Sequence, residues 1–325
     1  MKISIALQTD KTAAEYIALA QLINQYDFDV VSVYCDAPFH PSYGPLLLMA
    51  PHITRARLGP AAVPPTRIHP IDIAAQTALL ADVAQGGVYI GLARGAWLAD
   101  HGITDSSIQT IREAAAVIRY LLAGGSDGYE GQIFRLAPHV RPPYPTPLEP
   151  IPMLIGSWGR KLCALAGEIA DEVKVGGSAN PAIVPVIRSY IAEGSARTVG
   201  IVLGAVTVVD EDRDLARAAA RRSVALYLPV VAPLDPTVQV EPELVRRLQK
   251  LVETNDLESA VRLISDELLQ CFAFAGNPAD VIEHTLSLHA KGVARVEFGT
   301  PHGLRSAHGI KLIGEKVIPA LRSAI

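Results

Sequence analysis

Cysteine is scarce in this chain. Cys35, Cys163 and Cys271 are odd in number and far apart, which excludes a disulfide framework or a Cys-x-x-Cys metal knuckle and fits a reducing cytoplasm. Charge of one sign is also missing: 29 Lys and Arg stand against 33 Asp and Glu, a net charge of -4. No broad basic field exists to attract a nucleic-acid backbone or an anionic membrane, so the expected partner is a small molecule. Long hydrophobic runs are absent too. The longest, Val224 to Leu234, is broken by Pro229 and Pro233, and the opening "MKISIALQ" is too short for a signal segment. No Gly-x-Gly-x-x-Gly follows the first apolar run, which argues against a dinucleotide fold. No Gly-x-Ser-x-Gly elbow supports hydrolysis, and no His-x-x-x-His or carboxylate cluster has metal-ligand spacing, so no metal is expected.

What is present is a chain of 325 residues, half of them apolar and 19% charged, enough for a large core without covalent staples. Short apolar or β-branched runs recur at Ile3 to Leu7, Val30 to Tyr34, Ala56 to Val63, Val88 to Leu92, Met153 to Ile155, Val173 to Val175, Val199 to Val209 and Ala294 to Phe298. Between most of them lie helical patterns, such as Ile71, Ala74, Ala75 and Ala78, or Leu162, Leu165, Ala166 and Ile169. Eight nearly continuous apolar strands alternating with helices predict an α/β fold, a TIM (β/α)8 barrel occupying residues 1–325 as one domain. Two stretches exceed a minimal barrel. Residues 123–151 hold a glycine-rich turn, a possible hairpin around "YEGQIFRL" and a proline-rich tract, and are expected as a surface excursion. Residues 210–291 read as a mostly helical insertion before the last strand, on the catalytic rim.

The stretch "LIGSWGRK", residues 154–161, ends a strand in two glycines, a tryptophan and two cations. If a helix begins near Arg160, then Gly156, Ser157, Trp158 and Gly159 form a loop on the barrel's C-terminal face. Backbone N-H groups and the helix N-terminus would there offer an anion grip, or simply a tight turn. Arg160 and Lys161 add charge, and "GGS" at Gly176, Gly177 and Ser178 repeats the permissive backbone in the next loop.

The segment "PIPMLIGSWGRKLCALAGEIADEVKVGG" resembles the strand-helix-strand unit with which the luciferase-like flavin and deazaflavin superfamily grips its cofactor phosphate. Three more stretches agree in the same order: "RARLGPAAVPPTRIHP", "ALLADVAQGGVYIGLARGAW" and "FAGNPADVIEHTLSLHAKGVARVEFGTPHG". The last, with the closing "IGEKVIPAL", is similar to the branch containing methylenetetrahydromethanopterin reductase. The resemblance implies a homodimeric luciferase-like TIM barrel that binds coenzyme F420, or FMN in sister branches, and transfers a hydride. It also implies a non-proline cis peptide at Ala61 and Ala62, supporting the ring system. The chain departs from the reductase pattern at Ala6 and Ala96, where that branch carries carboxylates, and at Ala37, where members often carry histidine. An FMN-dependent monooxygenase and a non-catalytic carrier of either cofactor remain alternatives.

Other rim residues follow from their places after strands. Asp36 stands at the end of the second strand, and His40 and Tyr43 lie in "DAPFHPSYG", where aromatics and prolines could cover a ring. His69 precedes Pro70, either positioned for the site, as the resemblance implies, or as a helix start. Asp36, His40 and His69 are the catalytic candidates. Gln8, the first polar group leaving strand one, and Arg94, in "GLARGAW", are cofactor candidates through a ring carbonyl and a phosphate or carboxylate. Trp97 and Trp158 could sandwich a planar cofactor. His101, His302 and Arg305 are weaker candidates.

Overall fold

The computed structural model describes residues 1–325. Eight strands form the barrel: β1 (Lys2–Leu7), β2 (Val30–Val33), β3 (Arg57–Pro60), β4 (Ile90–Ala93), β7 (Met153–Gly156), β8 (Glu172–Gly176), β9 (Gly200–Val209) and β11 (Arg295–His302). All pair in parallel, in the order β3-β2-β1-β11-β9-β8-β7-β4. Bridges from Leu58 to Val88 and from Val63 to Leu92 close the seam. The helices that follow them are α1 (Ala13–Ile23), α2 (Tyr43–Met49), α3 (Pro70–Val83), α4 (Ile108–Leu122), α5 (Arg160–Ile169) and α6 (Ile183–Ala192). Each of the eight predicted apolar runs contributes to one of these strands.

The residues after α4 form a two-stranded hairpin, β5 (Tyr129–Glu130) with β6 (Arg135–Leu136). Its anchor is Glu113 of α4, buried under the turn and accepting the N-H groups of Gln132, Ile133 and Phe134 at 2.8 to 3.1 Å. Burial works against that charge, but these bonds and one from Gln109 hold the carboxyl down at about 2. Between β9 and β11 come α7 (Arg213–Val231), α8 (Pro242–Glu253), α9 (Leu257–Arg262), α10 (Asp266–Phe272), β10 (Ala273–Gly276) and α11 (Pro278–Ala290). β10 was not among the expected strands. It falls within residues 210–291, expected as mostly helical, yet Ala273 to Gly276 extend the sheet beside Val206 to Val209, beyond the point where β8 stops pairing with β9. The chain closes with α12 (Ser306–Leu312), a π-helical turn (Ile313–Val317) and α13 (Ile318–Ala324). No helix is long and apolar enough to cross a membrane.

Strand alternation sends Ile3, Ile5, Leu7, Val31, Val33, Val173 and Val175 outward into the main apolar core beneath the helices. The residues between them face the barrel axis, and there the interior is charged. Lys174 of β8 pairs with Glu297 of β11. Arg295 reaches Glu297 at 3.2 Å and Glu172 at 2.6 Å, while Ser32 donates to Glu297 at 2.5 Å and Tyr89 to Ser32 at 2.8 Å. Gly204 lies between the strands involved; a Cβ there would stand 3.2 Å from both Glu297 Cβ and Lys174 Cε. Burial opposes the Glu297 charge, but the Lys174 and Arg295 cations hold its carboxyl below the usual range.

Removing one partner of such a network strands the other charge in a dry interior. Lys174→Met is expected to lower the urea unfolding free energy by ~3 to 5 kcal/mol, and Lys174→Met with Glu297→Gln by clearly less. A second prediction concerns His302, wholly buried, with Nε2 3.0 Å from the Ala6 carbonyl oxygen. Burial depresses its pKa from 6.5 to about 4. The unfolded chain therefore takes up a proton that the folded chain refuses. Stability is complete above 6.5 and declines as pH falls toward 4, by about 3 kcal/mol at most from this group. His302→Gln should flatten the pH dependence of the denaturant midpoint across that window.

Candidate active site at the barrel mouth

Above the charged layer the inward positions are almost bare. Ala6 of β1, Gly156 of β7, Gly176 of β8 and Gly299 of β11 supply little or no side chain, and Gly91 of β4 has its side-chain place taken by the Pro60 carbonyl. No atom lies within 4 Å of where a Cβ of Gly176 would stand, and the nearest to a Gly156 Cβ is Ala93 Cβ at 3.2 Å. Tyr34, Ala62, Ala93, Gly156, Gly176, Val206 and Thr300 are half-buried among buried neighbours, so the recess opens at the C-terminal ends of the strands. Its signal in the sequence is a glycine near the end of one strand after another: "YIGLA", "LIGS", "KVGG", "VLGA" and "EFGT".

One wall carries the bulge implied by the resemblance. The Ala61–Ala62 peptide is cis, and Ala62 Cβ would sit 3.3 Å from a Cβ on Gly91 and 3.9 Å from one on Gly156. The loop beside it is the expected turn into α5. Ser157 is buried and closes that turn, its Oγ accepting the Gly159 N-H at 3.1 Å. Gly159 is the N-cap residue and has no capping side chain. The amides of Arg160, Lys161 and Leu162, in the first helical turn, therefore have no intrahelical or capping partner. Trp158 is fixed by its Nε1 donating to the Gly176 carbonyl at 2.9 Å, and its ring joins the barrel core to the core under the insertion.

The second half of the grip needs correction. The N-H groups of Gly177 and Ser178 both donate to the Gly204 carbonyl, at 2.6 and 3.1 Å, because β9 runs on past the end of β8 and offers that oxygen. Gly176 contributes space, and Gly177 a left-handed turn at φ 79°. Arg160 also departs from expectation. Its guanidinium lies in an outer groove of about 430 Å³ between α4 and α5, bound to Glu193 at 2.8 Å, so its backbone rather than its side chain faces the mouth. Arg94 is largely exposed, with Nε donating to Ser106 C=O at 2.9 Å and an Asp105 oxygen 3.9 Å from its Nη2.

Gln8 and Asp36 come together. Gln8 Nε2 donates to Asp36 Oδ2 at 3.1 Å, and Gln8 Oε1 accepts the Thr9 N-H at 2.8 Å, so the amide is held at both ends. Burial raises the Asp36 pKa, against the pull of the Gln8 bond and of the Lys174 and Arg67 cations. Arg67 pins the loop that follows, donating to Cys35 C=O at 2.9 Å and Phe39 C=O at 2.8 Å. His40 is exposed on that loop, tied by its N-H to Thr9 C=O at 3.1 Å. Tyr43 is instead a core residue, buried and bonded to Thr77 at 2.7 Å.

His69 is not brought to Asp36. Its Nδ1 caps α3 by accepting the Ile71 N-H at 3.3 Å, and its ring stands edge-on to Phe134 of the hairpin. Trp97 and His101 are exposed on the turns after β4, and Arg305 on the turn before α12. On the rim Asp210, Glu211 and His308 meet, with Lys316 3.7 Å from Glu211 as the balancing cation. Lys174, Glu297, Tyr34 and Arg67 were not anticipated. The first two carried a signal, a charge inside an otherwise apolar strand.

The profile of the family described as Luciferase-like monooxygenase matches residues 1–295. The chain is similar to 5,10-methylenetetrahydromethanopterin reductase of Archaeoglobus fulgidus, 29% identical over 99% of this chain and 100% of that one. It is 28% identical to the reductase of that name in Methanopyrus kandleri, over 88% of each. In fold it matches the solved coenzyme F420 dependent tetrahydromethanopterin reductase from Methanopyrus kandleri, with a TM-score of 0.89, 24% identity and 98% and 99% of the two chains covered. An F420-dependent secondary alcohol dehydrogenase solved with an F420-acetone adduct follows at 0.78, with 18% identity and 99% of both chains covered. The profile covers most of the chain, the fold is that of a luciferase-like TIM barrel, and the chain belongs to the luciferase-like monooxygenase family.

Proposed function

We propose that this protein is an F420-dependent oxidoreductase that moves a hydride between the deazaflavin and a small organic substrate; its relatives are named as reductases, and two solved structures of this fold are named as F420-dependent. The observation that carries the reading is end-to-end similarity to those reductases, joined to a mouth whose walls lack side chains where a planar ring needs room. F420 when bound supplies the hydride chemistry without oxygen activation. The chain's own residues bind and orient. Gly156, Gly176 and Ala62 leave space for the ring, and the first-turn amides of α5 receive a phosphate. Trp158 closes the wall between them.

Asp36 is the group suited to hold or move a proton at the mouth. Its carboxyl is half-buried with a raised pKa, and Gln8 fixes Oδ2 so that Oδ1 is free for the reacting partners. His40 is exposed on the rim beside it and serves as a cover for the substrate, whereas His69 acts through the helix it caps. Exposed Leu48, Ile71 and Leu79 on α2 and α3 support a homodimer, and three free cysteines support a reducing, cytoplasmic setting.

The cofactor is tested by purifying the protein with its native chromophore and recording absorption and mass. A deazaflavin is expected, and FMN would instead favour the monooxygenase reading. Gly176→Val, which meets no atom within 4 Å of its Cβ, should leave the melting temperature close to wild type but weaken F420 binding ~10-fold or more, because a branched side chain would occupy the ring's volume. Asp36→Asn should slow hydride transfer to a competent acceptor ~100-fold while F420 affinity changes little, and a rate equal to wild type would remove Asp36 from the mechanism.

A further inference from the structure

We propose that Tyr34 is the hydrogen-bond donor that fixes the carbonyl edge of the ring bound in the barrel mouth. The proposal rests on the reading of the mouth as a flavin or deazaflavin site and assigns within it a residue that no sequence motif singled out.

Tyr34 leaves β2 two residues after Ser32 and two before Asp36, so the three side chains share the inward face. Ser32 is spent on Glu297, and Asp36 is held by Gln8. The other polar groups around the floor are likewise engaged. Lys174 holds Glu297, Ser157 closes its own turn, and His302 is bonded between Ala6 C=O and Ser306. The Tyr34 hydroxyl, like that of Thr300 higher on the wall, bonds no protein group, and the residue is only half-buried, so the hydroxyl is open to the recess. Its donor is therefore available to a molecule that enters the recess.

Its position is also enforced. The ring lies across the floor with the Lys174 ammonium 5.0 Å from its centroid, which holds the plane and draws electron density from the ring. The hydroxyl reaches the β11 wall at Gly299, where a Cβ would stand 2.6 Å from the oxygen, so only glycine admits it. Across the mouth lies the Ala62, Gly91 and Gly156 wall. A planar molecule resting against that wall meets Tyr34 with its deep edge. Burial, with the Glu297 and Asp36 carboxylates nearby, pushes the Tyr34 pKa well up, so the phenol keeps its proton and presents a donor. The matching ligand group is an acceptor, and the pyrimidinedione edge common to deazaflavins and flavins carries two carbonyl oxygens.

The test compares wild type with Tyr34→Phe, which retains the ring over Lys174, in titrations with oxidised F420 and with FMN. A second reading follows the 13Cζ resonance of labelled Tyr34 in the wild-type protein as the chromophore is added. Expected are a roughly 5- to 30-fold weaker affinity in Tyr34→Phe, the loss of one hydrogen bond to a buried acceptor, and a shifted Tyr34 resonance at saturation. Equal affinities with an unmoved resonance would overturn the proposal and leave the F420 reading standing. Binding of FMN in place of F420, with the same loss in the variant, would support Tyr34 as the donor while overturning the F420 assignment.

Discussion

The structure depends on a buried ion-pair network where most barrels of this kind carry branched aliphatics. Glu172, Lys174, Arg295 and Glu297 form a chain of alternating sign through the barrel, with Ser4, Ser32 and Tyr89 completing the hydrogen bonds. Such a network adds little net stability over a well-packed apolar core, since desolvation offsets most of the attraction. What it does provide is geometry. Each charge tolerates burial only with its partner in place, so β8 and β11 are held in one register across β9, whose Gly204 makes the approach possible. The layer above inherits that register.

That upper layer is defined by absence. A barrel strand normally fills its inward positions with side chains, and here the last inward positions of β4, β7, β8 and β11 are alanine or glycine, while β9 adds Val206. The result is a hollow with a rigid polar floor and a ring of backbone walls, one of them carrying the cis Ala61–Ala62 bulge. The few side chains that project at its mouth are Asp36, Gln8, Trp158 and Tyr34. The insertion supports this rim from behind. Tyr227 of α7 packs at Gly177 and bonds Phe272 C=O, and buried Asn180 joins Asp235 at 2.9 Å, tying the loop after β8 to the segment after α7.

Among the rim candidates, the loop from Gly156 to Gly159 leads into a helix whose first-turn amides have no capping side chain. The loop from Gly176 to Ser178 has the same sequence character, yet β9 extends far enough to take two of its donors. Arg160 carries the charge that an anion site wants, yet its side chain turns outward to Glu193, which lies 33 residues further along the chain. His69 sits beside a proline at a helix start, and that local geometry is enough to occupy its ring nitrogen. For Gly177, Ser178 and Arg160 the residue type was a sound guide to what the group is able to do, and a distant neighbour decided what it does.

The strand and helix periods, the turn residues and the absence of competing motifs determined from sequence alone that this is an eight-stranded parallel barrel with a proline-rich excursion after α4. Those signals are local: apolar alternation and capping act over a few residues and survive any tertiary context. The hairpin "YEGQIFRL" was legible for the same reason, and the luciferase-like resemblance followed from motifs in their order. Tertiary structure decided the rest. The pairing of Lys174 with Glu297, the extension of the sheet by β10, the freeing of the Tyr34 hydroxyl and the engagement of Arg160 and Gly177 all join residues tens to hundreds of positions apart. Whether a polar group is spent or available depends on which other group the closed sheet brings within about 3 Å of it, and that proximity exists only once the barrel has formed.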